Sequence, residues 1–201
     1  MVKSSPILAH FRDHDPVLFS LFTSPPETLV VHHPRTYFES LCRTIIGQQL
    51  STTVADVIFA RFAALFGKKA ITPKAVLRLA DEKLRSIGMS GAKVRFVKDL
   101  ATRVENKDIL LASLTTMGER EVIATLTTIK GVGPWTAEMF LMFTLGREDV
   151  FSFGDLGLKR AIQTLYKLRR EPTVAYMQRL SKRWRPYRTY AALALWEFKD
   201  R

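Results

Sequence analysis

The sequence predicts an all-α protein. Apolar residues recur at three-to-four spacing along most of the chain, strand-type alternation is scarce, and Gly and Pro fall where the periodic segments end. The 201 residues are enough to bury a sizeable core. Tyr37, Leu41, Thr44, Ile45 and Gln48 share one helical face. Val54, Val57, Ile58, Phe62, Leu65 and Phe66 continue the spacing, and Gly67 offers a C-terminal stop. Thr72 opens a short helix through Leu79, Asp81 opens another that ends near Gly88, and the segment from Ser90 to Val104 forms the next. Residues Met117 to Leu126 and Pro134 to Phe143 read as two helices joined by a Gly-Val-Gly turn. After a link over Arg147 to Gly154, helices spanning Leu156 to Leu168, Thr173 to Trp184 and Tyr187 to Phe198 complete the set.

Composition narrows the function. The net charge of +12 predicts attraction to a polyanion, weakened by salt as condensed counterions are released. The single cysteine, Cys42, excludes an intrachain disulfide framework and a self-contained four-cysteine iron–sulfur cluster. It lies in the apolar pattern of Phe38, Leu41 and Ile45 and reads as a buried small hydrophobe. No apolar run reaches the length of a membrane span, and the N-terminus lacks a signal-peptide layout, so an intracellular soluble protein is expected. The four histidines, His10, His14, His32 and His33, stand without cysteines or a metalloprotease spacing, so zinc is not expected.

The segment Leu126-Thr-Thr-Ile-Lys-Gly-Val-Gly-Pro-Trp-Thr-Ala137 carries most of the chemical information. Gly131 and Gly133 permit positive φ and close backbone approach. Pro134 suits a first helical position, where its missing amide would have had no helical partner. The turn should therefore offer the amides of Val132, Gly133 and Trp135, at a helix N-terminus, to a phosphate. Asp155 follows 22 residues after Gly133. It stands just ahead of a helix, so it is either an N-cap or a carboxylate that acts on what the turn holds.

This hairpin and downstream Asp resemble the helix-hairpin-helix DNA glycosylases. Ile46-Gly-Gln-Gln-Leu-Ser51 and Arg185-Pro-Tyr-Arg-Thr-Tyr-Ala-Ala-Leu-Ala-Leu-Trp196 add to the likeness and point to the 3-methyladenine DNA glycosylase II type. The motifs span roughly Pro34 to Trp196. The resemblance implies a two-lobed fold with its cleft between a discontinuous lobe of residues 1–35 plus 146–201 and a central lobe of 36–145, the hairpin lying at about 121–143. Larger bacterial members carry a β-rich domain ahead of this core; here only some 35 residues precede the motifs, so the likeness is to a compact form.

The resemblance also assigns roles. Asp155 would be the catalytic carboxylate, stabilising an oxocarbenium-like sugar and orienting the attacking water. Trp135 stands where bifunctional glycosylase/lyases have their lysine nucleophile, which implies a monofunctional enzyme. Trp135, Trp196, Met139 and, more weakly, Tyr37 would line the base pocket, with tryptophan faces attracting a cationic methylated purine. Met139 departs from the tyrosine of a larger bacterial member. Gln49 matches the wedge that fills the gap left by the flipped nucleotide, and Gln48 would support the loop or meet DNA. Lys130, Gly131, Val132, Gly133, Thr136, Arg185 and Arg188 would complete the DNA-binding set. Lys182, Arg183, Arg185 and Arg188 interleave with Trp184, Tyr187 and Tyr190, which suits either phosphate contact or a solvated helix face. Lys93 and Arg95 offer a second backbone contact. The carbonyls of Thr127, Ile129 and Gly131 would hold a structural Na+ or K+, and no other cofactor is required.

The expected function is removal of alkylated purines, of the 3-methyladenine and 7-methylguanine type, from double-stranded DNA in base excision repair by a monomer. Two alternatives stay open. One is a related glycosylase for ethenoadenine or deaminated bases, and the other a non-catalytic DNA-binding helix-hairpin-helix module.

Overall fold

A computed structural model describes residues 5–200. These residues form twelve α-helices, interrupted by three short 3-10 turns, with no strand among them. The chain divides into two compact units, one built from the described residues up to Val30 and those from Gly146 on, the other from Val31–Leu145.

The first unit opens with α1 (Pro6–His14) and α2 (Pro16–Phe19), which the apolar spacing did not predict. Each starts on a proline that fixes φ at a first helical position. Asp15 sits between them, caps α2 by accepting the Leu18 amide at 3.1 Å, and is buried.

The second unit contains α3 (Tyr37–Gly47), α4 (Thr52–Ala64), α5 (Pro73–Leu77), α6 (Asp81–Ser86), α7 (Gly91–Glu105), α8 (Glu119–Leu126) and α9 (Pro134–Phe143). At its centre α3 packs against α4, α7 and α9. It buries Tyr37, Phe38, Leu41, Cys42, Ile45 and Ile46 at the spacing read from the sequence. Burial pushes the Cys42 thiol well above its usual range, so it is an inert hydrophobe here. Gly67, expected as a stop after α4, adopts φ +60. Ser51, Thr72 and Ser90 cap α4, α5 and α7 by accepting amide hydrogen bonds.

The chain returns to the first unit with α10 (Leu156–Leu165), α11 (Val174–Leu180) and α12 (Arg188–Asp200). Two predicted helices are shorter than expected. Helix α10 stops at Leu165 because Lys167 turns the backbone to φ +53, and α11 gives way to a 3-10 turn over Ser181–Trp184. Helix α10 packs on α12, with Leu158, Ala161, Ile162, Ala191 and Leu195 buried.

Arg188, expected to meet phosphate, proves to be a structural residue. It is 5% exposed. Its Nε lies 2.5 Å from Asp149 Oδ1, and its Nη2 donates to the Asp149 carbonyl. Next to it, Thr189 N donates to Glu148 O at 2.8 Å and Thr189 Oγ1 to Arg147 O at 2.6 Å. Tyr190 OH donates to Glu148 at 2.8 Å, and burial together with that bond pushes the phenol up to about 12. The first turn of α12 thus straps down the segment that leads to Asp155. Removing one partner of such a pair leaves the other charge uncompensated. Arg188→Met is therefore expected to cost about 3 kcal/mol. Chemical denaturation checks it; a loss within a few tenths of wild type would contradict the structural role.

Candidate active site

The hairpin of the second unit is α8, the turn Thr127–Gly133 and α9. Its turn closes on itself: Ile129 N donates to Leu126 O and Val132 N to Ile129 O, both at 3.1 Å. The Val132 amide is therefore engaged and its side chain buried, which corrects the expectation that it faces phosphate. Gly131 adopts φ +77, as expected, whereas Gly133 stays at φ −95 and caps α9. Gly133 is exposed, with nothing within 4 Å of where a Cβ would stand. Backbone can approach a ligand freely there.

The hairpin is anchored from behind by Asp99 of α7. Its Oδ2 accepts the Lys130 amide and the Arg103 guanidinium, each at 2.9 Å. Burial raises the Asp99 carboxyl, but the Lys130 amide and Arg103 outweigh it and hold it below the usual range. The Lys130 side chain is 70% exposed, with its Nζ 3.7 Å from Asp99.

The Ile46–Ser51 motif is joined to the hairpin directly. Gln48 Nε2 donates to Gly131 O at 2.8 Å and to Thr136 Oγ1 at 3.3 Å. Gln48 thus supports the turn, and Thr136 is buried, its hydroxyl a partner for Gln48 rather than for DNA. Leu50 N donates to Gly47 O at 3.2 Å, a tight turn that holds Gln49 at φ +56 with its side chain exposed. A non-glycine residue in the left-handed region is uncommon and concentrates at functional sites. Lys93, expected on the DNA backbone, instead sends Nζ to the Ile46 carbonyl at 2.7 Å and caps the end of α3. Arg95 is exposed.

The three pocket residues expected in this unit separate into three environments. Trp135, in the first turn of α9, is 45% exposed, unusual for an indole. Met139 is largely buried one turn on. Tyr37 is fully buried, edge-on to Phe140 with centroids 5.5 Å apart. It belongs to the core of its unit, which corrects its assignment to a base pocket.

In the first unit, Asp155 caps α10. Its Oδ1 accepts the Leu158 amide at 2.7 Å and the Trp196 indole N–H at 3.2 Å. The cap read from the sequence is present, and the same oxygen is also held by the indole. Trp196, expected to offer its face to a base, reaches Asp155 through its edge. Gly157 makes this approach possible, a role the sequence reading missed. A Cβ there would stand 3.0 Å from Asp155 Oδ1 and 3.4 Å from Trp196 Cδ1. Its one signal in the sequence is a glycine inside the first turn of a helix, where it weakens the helix unless something needs the space. Arg185 is well exposed, with Nε 3.8 Å from Asp149, and can still turn to an external phosphate.

Comparison with known proteins matches this architecture. The model of the HhH-GPD superfamily of base excision DNA repair proteins matches residues 42–186. The DNA-3-methyladenine glycosylase 1 of Schizosaccharomyces pombe is 33% identical over 162 residues, 80% of this chain and 71% of that protein. Among solved structures, a DNA-3-methyladenine glycosidase from Bacillus halodurans superposes with a TM-score of 0.84 at 35% identity, covering 99% of this chain and 91% of its own. The S. pombe 3-methyladenine DNA glycosylase solved in complex with abasic DNA gives 0.81 at 28% identity, covering 96% of both chains. With a helical hairpin, an oriented carboxylate after it and a family match over most of its length, the chain belongs to the HhH-GPD superfamily of base excision DNA repair proteins.

Proposed function

We propose that this chain is a monofunctional DNA glycosylase that hydrolyses the N-glycosidic bond of alkylated purines, of the 3-methyladenine and 7-methylguanine type, in double-stranded DNA. The observation that carries the reading is Asp155, a carboxylate whose Oδ1 is fixed by the Leu158 amide and the Trp196 indole. As the bond between C1′ and the base nitrogen breaks, its electron pair leaves with the base and positive charge builds on the sugar. A fixed carboxylate stabilises that charge without reorganising. It also orients the water whose oxygen bonds to C1′ and whose proton is released, leaving an abasic site.

An alkylated purine already carries positive charge, so it departs as a neutral base and needs little acid assistance. The half-exposed Trp135 indole would attract the same cationic ring, worth about 0.5–2 kcal/mol. Because position 135 holds tryptophan where bifunctional members hold lysine, no Schiff base forms and the strand stays intact. Borohydride trapping on lesion-bearing DNA is the test of that step. No covalent adduct is expected; a stable adduct would overturn the monofunctional reading.

Gln49 would fill the gap left by the flipped nucleotide, and Lys130, Gly133 and Arg185 would meet the DNA backbone. The chain would act as a monomer, inside the cell where DNA is. The carbonyls of Thr127, Ile129 and Gly131 would hold a Na+ or K+ that stiffens the turn. Ile129 O and Gly131 O each already accept one hydrogen bond, from Val132 N and Gln48 Nε2, and keep a second lone pair. Uncharged oxygens suit a cation of low charge.

The Trp196 bond to Asp155 gives a direct prediction. Trp196→Phe keeps an aromatic ring but removes the donor. A hydrogen bond to a charged group is worth about 1.5–3 kcal/mol, so single-turnover base release is expected to fall at least about tenfold. Unchanged release would mean that Trp196 serves by stacking alone.

A further inference from the structure

The charge of this protein is concentrated in one part of the chain. Between Leu156 and Tyr190 stand ten basic residues and one acidic residue, Glu171, so this stretch supplies nine of the twelve net positive charges. Arg188 is buried on Asp149, and Arg185 lies beside the same carboxylate. Five of the others form two short runs: Lys167, Arg169 and Arg170 after α10, and Lys182 and Arg183 in the 3-10 turn before α12. All five are exposed.

A buried acid brings the two runs together. Asp15 is 1% exposed, and its Oδ2 accepts both the Tyr166 hydroxyl at 2.6 Å and the Trp184 indole N–H at 2.9 Å. Tyr166 immediately precedes Lys167, and Trp184 immediately follows Arg183. The same Asp15 caps α2 through its other oxygen. His10 of α1 adds a second tie, its Nε2 2.8 Å from the Arg183 carbonyl. The acids nearby do not balance the cluster: Glu171, next to Arg170, and Asp15 set two negative charges against five positive ones. Asp15 is enclosed and hydrogen-bonded, and Asp13 of α1 is paired with Arg12 at 2.9 Å.

Like charges held side by side repel one another, and water alone does not require them to be gathered on a fixed frame. A ligand with closely spaced negative charges does. We infer that this surface of the first unit, built on Lys167, Arg169, Arg170, Lys182 and Arg183, binds the sugar–phosphate backbone of duplex DNA independently of any damaged base. None of these residues belongs to the hairpin or to the Asp155 site. The inference therefore goes beyond the glycosylase reading and stands or falls separately from it. Such interactions fix no sequence; they add affinity that depends on salt and hold the protein on undamaged DNA while it moves along it.

The test is a titration of an undamaged duplex, followed by fluorescence anisotropy across a NaCl series, with wild-type protein and with a Lys167→Gln, Arg169→Gln, Arg170→Gln variant. Each phosphate that the protein no longer neutralises lowers the slope of log K against log salt by about 0.9, so a drop of about 2 to 3 is expected. Melting temperature and base release at saturating enzyme should match wild type. A second variant, Arg169→Lys with Arg170→Lys, should keep the wild-type slope. An unchanged slope in the glutamine variant would overturn the inference and leave a solvated surface. A slope that falls only together with base release at saturation would overturn it too, by assigning these residues to the reaction. So would wild-type protein that holds polyglutamate at salt concentrations where the duplex dissociates, which would point to an acidic protein instead. Base release plays no part in the binding readout, so failure of the glycosylase reading and failure of this one are distinguishable.

Discussion

Asp155→Asn is expected to lower base release by about 10²- to 10³-fold while leaving the fold and DNA binding in place. The substitution separates charge from shape. Asparagine caps a helix about as well as aspartate, so Oδ1 can still accept the Leu158 amide and the Trp196 indole. What disappears is the negative charge, at the N-terminus of α10 and, on the proposed reading, beside the reacting sugar. At the helix end the loss costs about 0.3–1 kcal/mol of stability. At the sugar it removes the stabilisation of the oxocarbenium-like transition state, which binding to the intact nucleotide does not need. Single-turnover base release and affinity for an abasic-site duplex, measured on one preparation, check both halves. Release at the wild-type rate would remove Asp155 from the chemistry, and loss of binding together with release would assign it to recognition.

Gly131→Ala is expected to be the most disruptive small substitution in the hairpin. At φ +77 an L-residue is strained by about 1–2 kcal/mol. Its Cβ would also stand 2.1 Å from Cδ2 and 2.4 Å from Cε2 of Phe96, so the ring or the turn must move. Overpacking of that kind costs a further ~1–3 kcal/mol. The Gly131 carbonyl is the acceptor of Gln48, so movement of the turn disturbs the loop that displays Gln49 as well. A loss of about 2–5 kcal/mol in stability and at least about tenfold in DNA affinity is expected. Gly133→Ala is the control: at φ −95 and with open space around its Cβ, it should fold like wild type. Denaturant titration of the two variants decides it. Equal stability of both would show that the turn does not depend on Gly131.

Much of this was legible in the sequence because it rests on local signals. Pro134 marked the start of α9, Gly67 the stop after α4, and the apolar spacing of Phe38, Leu41, Cys42 and Ile45 the buried face of α3. The positive φ of Gly131 followed from residue type in a tight turn. What was not legible depends on residues far apart in the chain. Arg188 reads as one more cation in a basic run; only Asp149, 39 residues earlier, shows that it is buried. Trp196 finds Asp155 across 41 residues, and Lys93 finds the Ile46 carbonyl across 47. Helices α1 and α2 escaped notice because they are short, and their stability comes from Asp15 and from packing rather than from a long apolar stripe. The role of Gly157 was hidden for the opposite reason: its importance lies in the side chain it lacks.

Base release from methylated duplex DNA tests the central claim most directly, with chromatography of the freed bases and a strand-break assay before and after alkali. Free 3-methyladenine or 7-methylguanine, with breaks only after alkali treatment, is the predicted result. DNA that is bound but yields no free alkylated base would contradict it.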